Sequence, residues 1–216
     1  MQFGAVAHNI FVLEGGIAAG KTTLVQTLAE RYGLTAFYEP VTENPYLARF
    51  YEDPKRWALE MQLWFFELRL ETYKSAVEAA KTCKGVLLDR SVFGDYAFAL
   101  NSHNDGSISD EGFKRYTERY EQGLAGLPLP AAIIYLDVQP EVCLDRILNV
   151  RKRECEAGIP LSYLQGLDAA YRVMLEMTRA WNCAVLVQPW ESFGEASDIY
   201  DLMVVEQERQ LQLVAV

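Results

Sequence analysis

Gly15-Gly16-Ile17-Ala18-Ala19-Gly20-Lys21-Thr22 fits the spacing G-x-x-x-x-G-K-[ST], and Thr23 continues the run into a helical pattern. The apolar stretch Ile10-Phe11-Val12-Leu13 precedes it. A strand that feeds a glycine turn and then a helix aims backbone N–H groups and the helix's positive end at one anion. Lys21 is placed to reach the β and γ phosphates of a nucleotide, and the Thr22 hydroxyl to ligate Mg²⁺. Three further groups stand at the ends of apolar runs: Glu39 in Phe37-Tyr38-Glu39-Pro40-Val41, and Asp89 and Arg90 in Leu87-Leu88-Asp89-Arg90-Ser91. A carboxylate facing the ligand there can accept a proton from an attacking hydroxyl. It can equally cap the next helix, a common fate of Asp and Glu at such positions. Arg146, Arg151, Lys152 and Arg153 form a second cationic cluster, ahead of Gly158-Ile159-Pro160. It reads as a lid over phosphates, because a helix end needs few cations to offset about half an elementary charge.

Positioning these groups requires a particular scaffold. Short β-rich runs at 9–14, 35–38, 85–89, 131–137 and 184–187 alternate with helical patterns at about 20–32, 44–51, 55–82, 91–100, 110–123, 139–150, 160–181 and 195–212. The alternation predicts an α/β fold with a five-stranded parallel sheet flanked by helices. In an open parallel sheet, ligands collect at the carboxyl ends of strands. Lys21, Glu39, Asp89 and Arg90 therefore converge on one crevice. The long helix over 55–82 is aromatic, with Trp57, Trp64, Phe65, Phe66 and Tyr73, and also carries Gln62 and Arg69 two turns apart on one side. That pair suits a planar polar ligand, or merely shares a solvated face. So much aromatic surface on one helix predicts a homodimer packed through helices.

Half of the 216 residues are hydrophobic, enough for one substantial core, and nothing resembles a linker, so residues 1–216 are expected to form one domain with a lid at about 151–158. A formal charge of −10 argues against nucleic acid and anionic membranes as partners. Cys83, Cys143, Cys155 and Cys183 suit neither a zinc site nor a redox pair, and with no signal peptide apparent the expectation is a cytoplasmic protein.

Taken together the motifs resemble the deoxynucleoside kinase family over nearly the whole chain. Glu14-Gly15-Gly16-Ile17-Ala18-Ala19-Gly20-Lys21-Thr22-Thr23 is similar to the family's phosphate loop, Glu39-Pro40-Val41 to its catalytic-base motif and Asp89-Arg90-Ser91 to its Asp/Glu-Arg-Ser motif. Phe50-Tyr51-Glu52-Asp53-Pro54-Lys55-Arg56-Trp57, with Gln62 and Arg69, resembles the nucleoside-binding stretch, and Arg151-Lys152-Arg153 through Leu164 the lid and its following helix. The resemblance implies a P-loop kinase fold with an arginine-rich lid, and transfer of phosphate from ATP·Mg²⁺ to the 5′-hydroxyl of a deoxynucleoside. Glu39 would be the base; Arg90 would hold the 5′-oxygen and the migrating phosphoryl. Lys21 and residues 15–23 would hold the ATP phosphates, aided by Arg146, Arg151 and Arg153, while Thr22 and Asp89 would hold Mg²⁺. Tyr51 and Glu156 match positions that bond the sugar 3′-hydroxyl, Gln62 one that pairs with the base edge, and Arg69 and Asp95 a pair that reads purines or deoxycytidine. Two departures stand out: one extra residue between Arg146 and Arg151, and Cys155 where an acidic residue is frequent.

The resemblance favours purine deoxynucleosides, deoxyadenosine first, over thymidine, with a deoxycytidine-preferring or broad-specificity enzyme as the alternative. A nucleoside monophosphate kinase is the enzymatic rival. It would have to bind an already anionic acceptor beside the acidic strand end at Glu39, against like-charge repulsion. A non-catalytic nucleotide switch would leave the base, the base-reading pair and the lid unexplained.

Overall fold

The computed structural model describes residues 2–38, 45–153, 156 and 158–214, without the side chains of Leu47, Ala48, Tyr51, Leu213 and Val214. Five strands, β1 (Gly4–Gly15), β2 (Thr35–Phe37), β3 (Val86–Asp89), β4 (Pro128–Asp137) and β5 (Val185–Pro189), form one sheet in the order β2-β3-β1-β4-β5. Every pairing is parallel. The helices are α1 (Lys21–Tyr32), α2 (Leu47–Glu52), α3 (Pro54–Ala80), α4 (Asp95–Asn104), α5 (Asp110–Leu124), α6 (Pro140–Asp145), α7 (Leu161–Ala180) and α8 (Ala196–Val214).

Because side chains alternate along a strand, the central strand β1 feeds two cores. Ile10 and Val12 join Phe66, Leu70 and Tyr73 of α3, Tyr116 and Tyr120 of α5, and Tyr171 and Met174 of α7. Phe11 and Leu13 join Leu24 and Leu28 of α1, Cys143 of α6 and Ile199 of α8 on the other face. A strand covered on both sides reads as a continuous apolar run, as Ile10–Leu13 does. The chain moves from β1 to the β2-β3 side and then to the β4-β5 side. The crevice beyond the carboxyl ends of β1 and β3 thus lies where strand order reverses.

Local chemistry accounts for the helix starts. At α3 the Asp53 carboxylate accepts the Arg56 N–H at 3.3 Å and Pro54 takes the first position, while at α5 the Ser109 hydroxyl accepts the Gly112 N–H at 3.1 Å. Three boundaries differ from expectation. β1 starts at Gly4 rather than residue 9: Gly4, Ala5 and His8 are exposed and Val6, Ala7 and Asn9 half-buried, so the segment lacks the continuous buried apolar run that marks Ile10–Leu13. β4 starts at Pro128 rather than residue 131 and so includes Pro128-Leu129-Pro130. Prolines donate no ladder bond, and the β1–β4 register shifts there, between Gly4↔Pro128 and Ala7↔Pro130 and again before Phe11↔Ala132. The helix expected over 139–150 becomes π-helical at Arg146–Arg151, where the Lys152 N–H reaches the Ile147 carbonyl at 3.0 Å. A five-residue hydrogen-bond step is how a helix absorbs one additional residue, which is the departure noted between Arg146 and Arg151.

The apolar surplus expected on the long helix is divided between core and half-buried positions. Phe66 and Tyr73 are fully buried, Trp57, Trp64 and Phe65 are partly buried, and none belongs to the exposed large apolar side chains. Among the described residues, no helix is long and apolar enough to cross a membrane.

Phe66 packs against Tyr116 and Tyr120, at ring separations of 6.1 and 5.6 Å. Phe66→Ala should cost about 3–5 kcal/mol. Urea unfolding should show a lower midpoint with unchanged slope, and a loss below about 1 kcal/mol would contradict this packing.

Candidate active site

β1 ends in the loop that opens α1. Gly20 caps α1 with φ 101°, and an added Cβ would come within 2.8 Å of the Phe193 ring, so the residue needs both left-handed freedom and the absence of a side chain. Lys21 is 5 % exposed, and its Nζ donates to the Gly15 and Gly16 carbonyls at 3.0 and 2.8 Å, which folds the ammonium back over the loop.

The last polar residue of β1 ties the site together. Glu14 is fully buried; its Oε1 accepts the Ser91 N–H (2.9 Å) and hydroxyl (3.0 Å), and its Oε2 accepts the Tyr171 hydroxyl (3.1 Å). Burial pushes the Glu14 carboxyl above the ordinary carboxylate range, opposed by the charges of Arg90, Lys21 and Arg69 and by the Ser91 hydrogen bond. Between β3 and α4, Arg90 takes φ 69°, a conformation that costs a non-glycine residue about 1–3 kcal/mol. Its backbone N–H bonds the Leu13 carbonyl at 3.0 Å, and its Nη1 donates to the Gly15 carbonyl (3.1 Å) and the Tyr171 hydroxyl (2.5 Å). The Phe98 ring lies 4.8 Å from the guanidinium carbon. This turn is why α4 starts at Asp95 and not at Ser91.

The Thr22 hydroxyl donates to Asp89 Oδ2 at 2.5 Å. A hydroxyl and a carboxylate meeting beside a phosphate loop fit Mg²⁺, which binds one or two protein oxygens and completes its shell with water and phosphate. Among the described residues, no group of three or more His, Cys, Asp or Glu could hold a metal by itself.

Two cavities adjoin the loop. One, of about 210 Å³, is lined by Ile17, Lys21, Thr22, Tyr38, Met61, Gln62, Phe65, Arg69, Asp89, Arg90, Phe98 and Glu156, among others. Gln62 and Arg69 are buried on its wall, not spread on a solvated face. Arg69 is ion-paired with the fully buried Asp95 and stacks 4.8 Å over Phe65. The other cavity, about 490 Å³, is lined by Ala18 through Thr23, Arg146, Val150, Arg151, Arg153 and Phe193. Lys21, Thr22, Arg151 and Arg153 line both.

The cationic cluster divides into two parts. Arg146 is buried and donates to the carbonyls of Ala19 (3.2 Å), Trp190 (2.9 Å) and Glu191 (2.7 Å), beneath the Phe193 ring at 4.2 Å. It is part of the fixed wall, locked by backbone acceptors, and is not a lid residue. Arg151 and Arg153 instead converge on Glu156, at 3.1 and 3.5 Å. Glu39 and Cys155 lie outside the described residues, as does the Tyr51 side chain. Sequence reasoning quoted Glu14 without a role and passed over Tyr171, Phe98 and Phe193. A glutamate ending an otherwise apolar central strand was a readable signal for Glu14; Tyr171 gave none, being one more apolar-face residue of α7.

Residues 11–210 match the family model described as deoxynucleoside kinase. A deoxyguanosine kinase of Dictyostelium discoideum is 43 % identical over 188 residues, covering 87 % of this chain and 66 % of its own. A deoxyadenosine kinase of the same organism is 30 % identical over 196 residues (91 % and 78 %), and a deoxyadenosine/deoxycytidine kinase of Bacillus subtilis (strain 168) is 32 % identical over 194 (88 % and 87 %). Among solved structures, a deoxyadenosine kinase from M. mycoides with dCMP and dCDP bound superposes with a TM-score of 0.77 at 22 % identity, covering 93 % of this chain and 99 % of that one. That likeness is to the fold.

A Cβ at Gly94 would lie 2.3 Å from Glu14 Oε1, and this carboxylate is held by donors from Ser91 and Tyr171 and cannot swing away. Gly94→Ala should therefore destabilise the protein by about 1–3 kcal/mol. An unchanged urea midpoint would mean that the carboxylate yields.

Proposed function

The chain belongs to the deoxynucleoside kinase family, and from that premise we propose that it transfers the γ-phosphoryl group of ATP to the 5′-hydroxyl of purine 2′-deoxynucleosides. The observation that carries this reading is the pair of cavities sharing Lys21, Thr22, Arg151 and Arg153, because one cavity can hold the donor and the other the acceptor, with the reacting groups meeting at the loop.

In this reading Glu39 takes the proton of the 5′-hydroxyl, and Arg90 holds the 5′-oxygen and the migrating phosphoryl. Lys21 and the loop N–H groups hold the β and γ phosphates, with Arg146 walling the donor cavity. Thr22 and Asp89 hold Mg²⁺, which neutralises phosphate charge when bound. The segment 151–158 acts as the lid, with Arg151 and Arg153 tethered through Glu156 at the junction of the cavities. Tyr51 and Glu156 bond the sugar, and Gln62 pairs with the base.

The order of the purines departs from the sequence expectation, which set deoxyadenosine first. Asp95 sits behind Arg69, so the pair offers the cavity a guanidinium, a donor group. Guanine presents two acceptors, O6 and N7, on one edge, whereas adenine pairs its N7 with a donor amine. This match and the deoxyguanosine kinase at 43 % identity support deoxyguanosine first and deoxyadenosine second.

Incubation with ATP, Mg²⁺ and each deoxynucleoside or its monophosphate, with products separated by chromatography, tests the proposal. Deoxyguanosine should give its 5′-monophosphate fastest and thymidine slowest. Diphosphate formed only from monophosphates would overturn the reading. Glu39→Gln should lower kcat at least about 100-fold with ATP binding retained. Turnover near that of the unaltered protein would remove Glu39 from the role of base.

A further inference from the structure

We propose that Tyr171 is a positioning residue for phosphoryl transfer, its hydroxyl setting the orientation of the Arg90 guanidinium at the head of the acceptor cavity. The inference rests on the kinase reading and on the role given there to Arg90.

Among the described residues several contacts of different kinds restrain the guanidinium, beside the Glu14 carboxylate at 3.9 Å. The Phe98 ring sets its plane but not its rotation within that plane. The Gly15 and Gly16 carbonyls accept from it at 3.1 and 3.4 Å, but they belong to the phosphate loop and also accept from Lys21. The Tyr171 hydroxyl accepts from Nη1 and comes from a rigid helix outside the loop. A hydroxyl both accepts and donates, and this one donates a hydrogen bond to Glu14 Oε2 at 3.1 Å, so its direction is fixed at both ends. Burial pushes the phenol well above its ordinary range, which keeps that proton in place. The position of α7 is itself defined by backbone packing: a Cβ at Gly166 would meet Asn101 Oδ1 at 2.4 Å, and the Asn101 amide donates to the Tyr163 carbonyl at 3.3 Å. Tyr163 lines the acceptor cavity eight residues before Tyr171, so one helix both borders the substrate and aims the cation.

Tyr171→Phe keeps the ring and removes the hydroxyl. Loss of orientation at a group that acts in the transition state should lower kcat about 10- to 100-fold while KM for nucleoside and ATP stays within about twofold. Tyr73→Phe serves as a control of equal burial, since the Tyr73 hydroxyl bonds only structure, the Pro128 carbonyl at 2.9 Å. Its kcat should be unchanged at a comparable loss of Tm. In an Arg90→Lys protein, adding Tyr171→Phe should change kcat by less than about threefold, because the two residues act as one unit. Normal kcat in Tyr171→Phe, or losses that multiply in the double variant, would overturn the proposal. If Tyr171→Phe does not fold, Tyr171→His, which can bond Arg90 or Glu14 but not both, must show the same fall in kcat at constant KM, and normal turnover there overturns it equally. Unaltered protein that makes no deoxynucleoside monophosphate would refute the kinase reading and this inference together; active protein indifferent to Tyr171→Phe refutes this inference alone.

Discussion

A carboxylate removed from water at the end of the central strand is the constraint on which the site depends. Glu14 must be satisfied where it lies, and its partners come from Ser91 after β3 and Tyr171 on α7, with the Arg90 guanidinium 3.9 Å away. Leaving a buried charge unpaired costs several kcal/mol, of order 3–5 when one partner of a pair is removed. The carboxylate therefore ties the turn after β3, from Ser91 to Gly94, and the middle of α7 to the end of β1, where the phosphate loop begins. The left-handed backbone at Arg90 and the bare backbone at Gly94 are both consequences, because a normal turn or a side chain there would displace Glu14 or its donors.

From that post the charges of the site fall into order. The chain is acidic overall, yet Lys21, Arg69, Arg90, Arg146, Arg151 and Arg153 gather around two adjoining cavities. Each is held by a carbonyl or carboxylate: Lys21 by the loop, Arg69 by Asp95, Arg146 by three carbonyls, Arg151 and Arg153 by Glu156. Groups fixed in advance need not reorganise as charge moves, which is where electrostatic catalysis obtains its effect. A lone acidic strand end would repel a nucleotide; a cluster of cations held by carbonyls and carboxylates attracts it.

Much of this was legible in the sequence, for identifiable reasons. Ile10–Leu13, Leu87–Asp89 and Ala131–Asp137 announced buried parallel strands because such strands are apolar on both faces. Of the four groups expected to converge at strand ends, Lys21, Asp89 and Arg90 line one cavity, and Glu39 lies outside the described residues. Gln62 and Arg69 were placed on one helix side by spacing alone, but only packing showed that side to be a cavity wall. Arg146 was grouped with the lid because proximity along the chain does not reveal that its guanidinium turns back to the Ala19 and Trp190 carbonyls. The extra residue after Arg146 was visible, but its absorption as a π turn depends on hydrogen bonds that no side chain signals. Tyr171 and Phe193 were invisible for the same reason: their partners, Arg90 and Arg146, are respectively 81 and 47 positions away in the chain.

The central claim is that donor and acceptor meet directly at Lys21 and Thr22, with no way station on the protein. Its most direct test is the stereochemical course of transfer from ATP made chiral at the γ phosphorus with oxygen isotopes. A single in-line displacement between the two cavities predicts inversion of configuration in the deoxynucleoside monophosphate. Retention would require two displacements through a phosphorylated residue and would contradict the account.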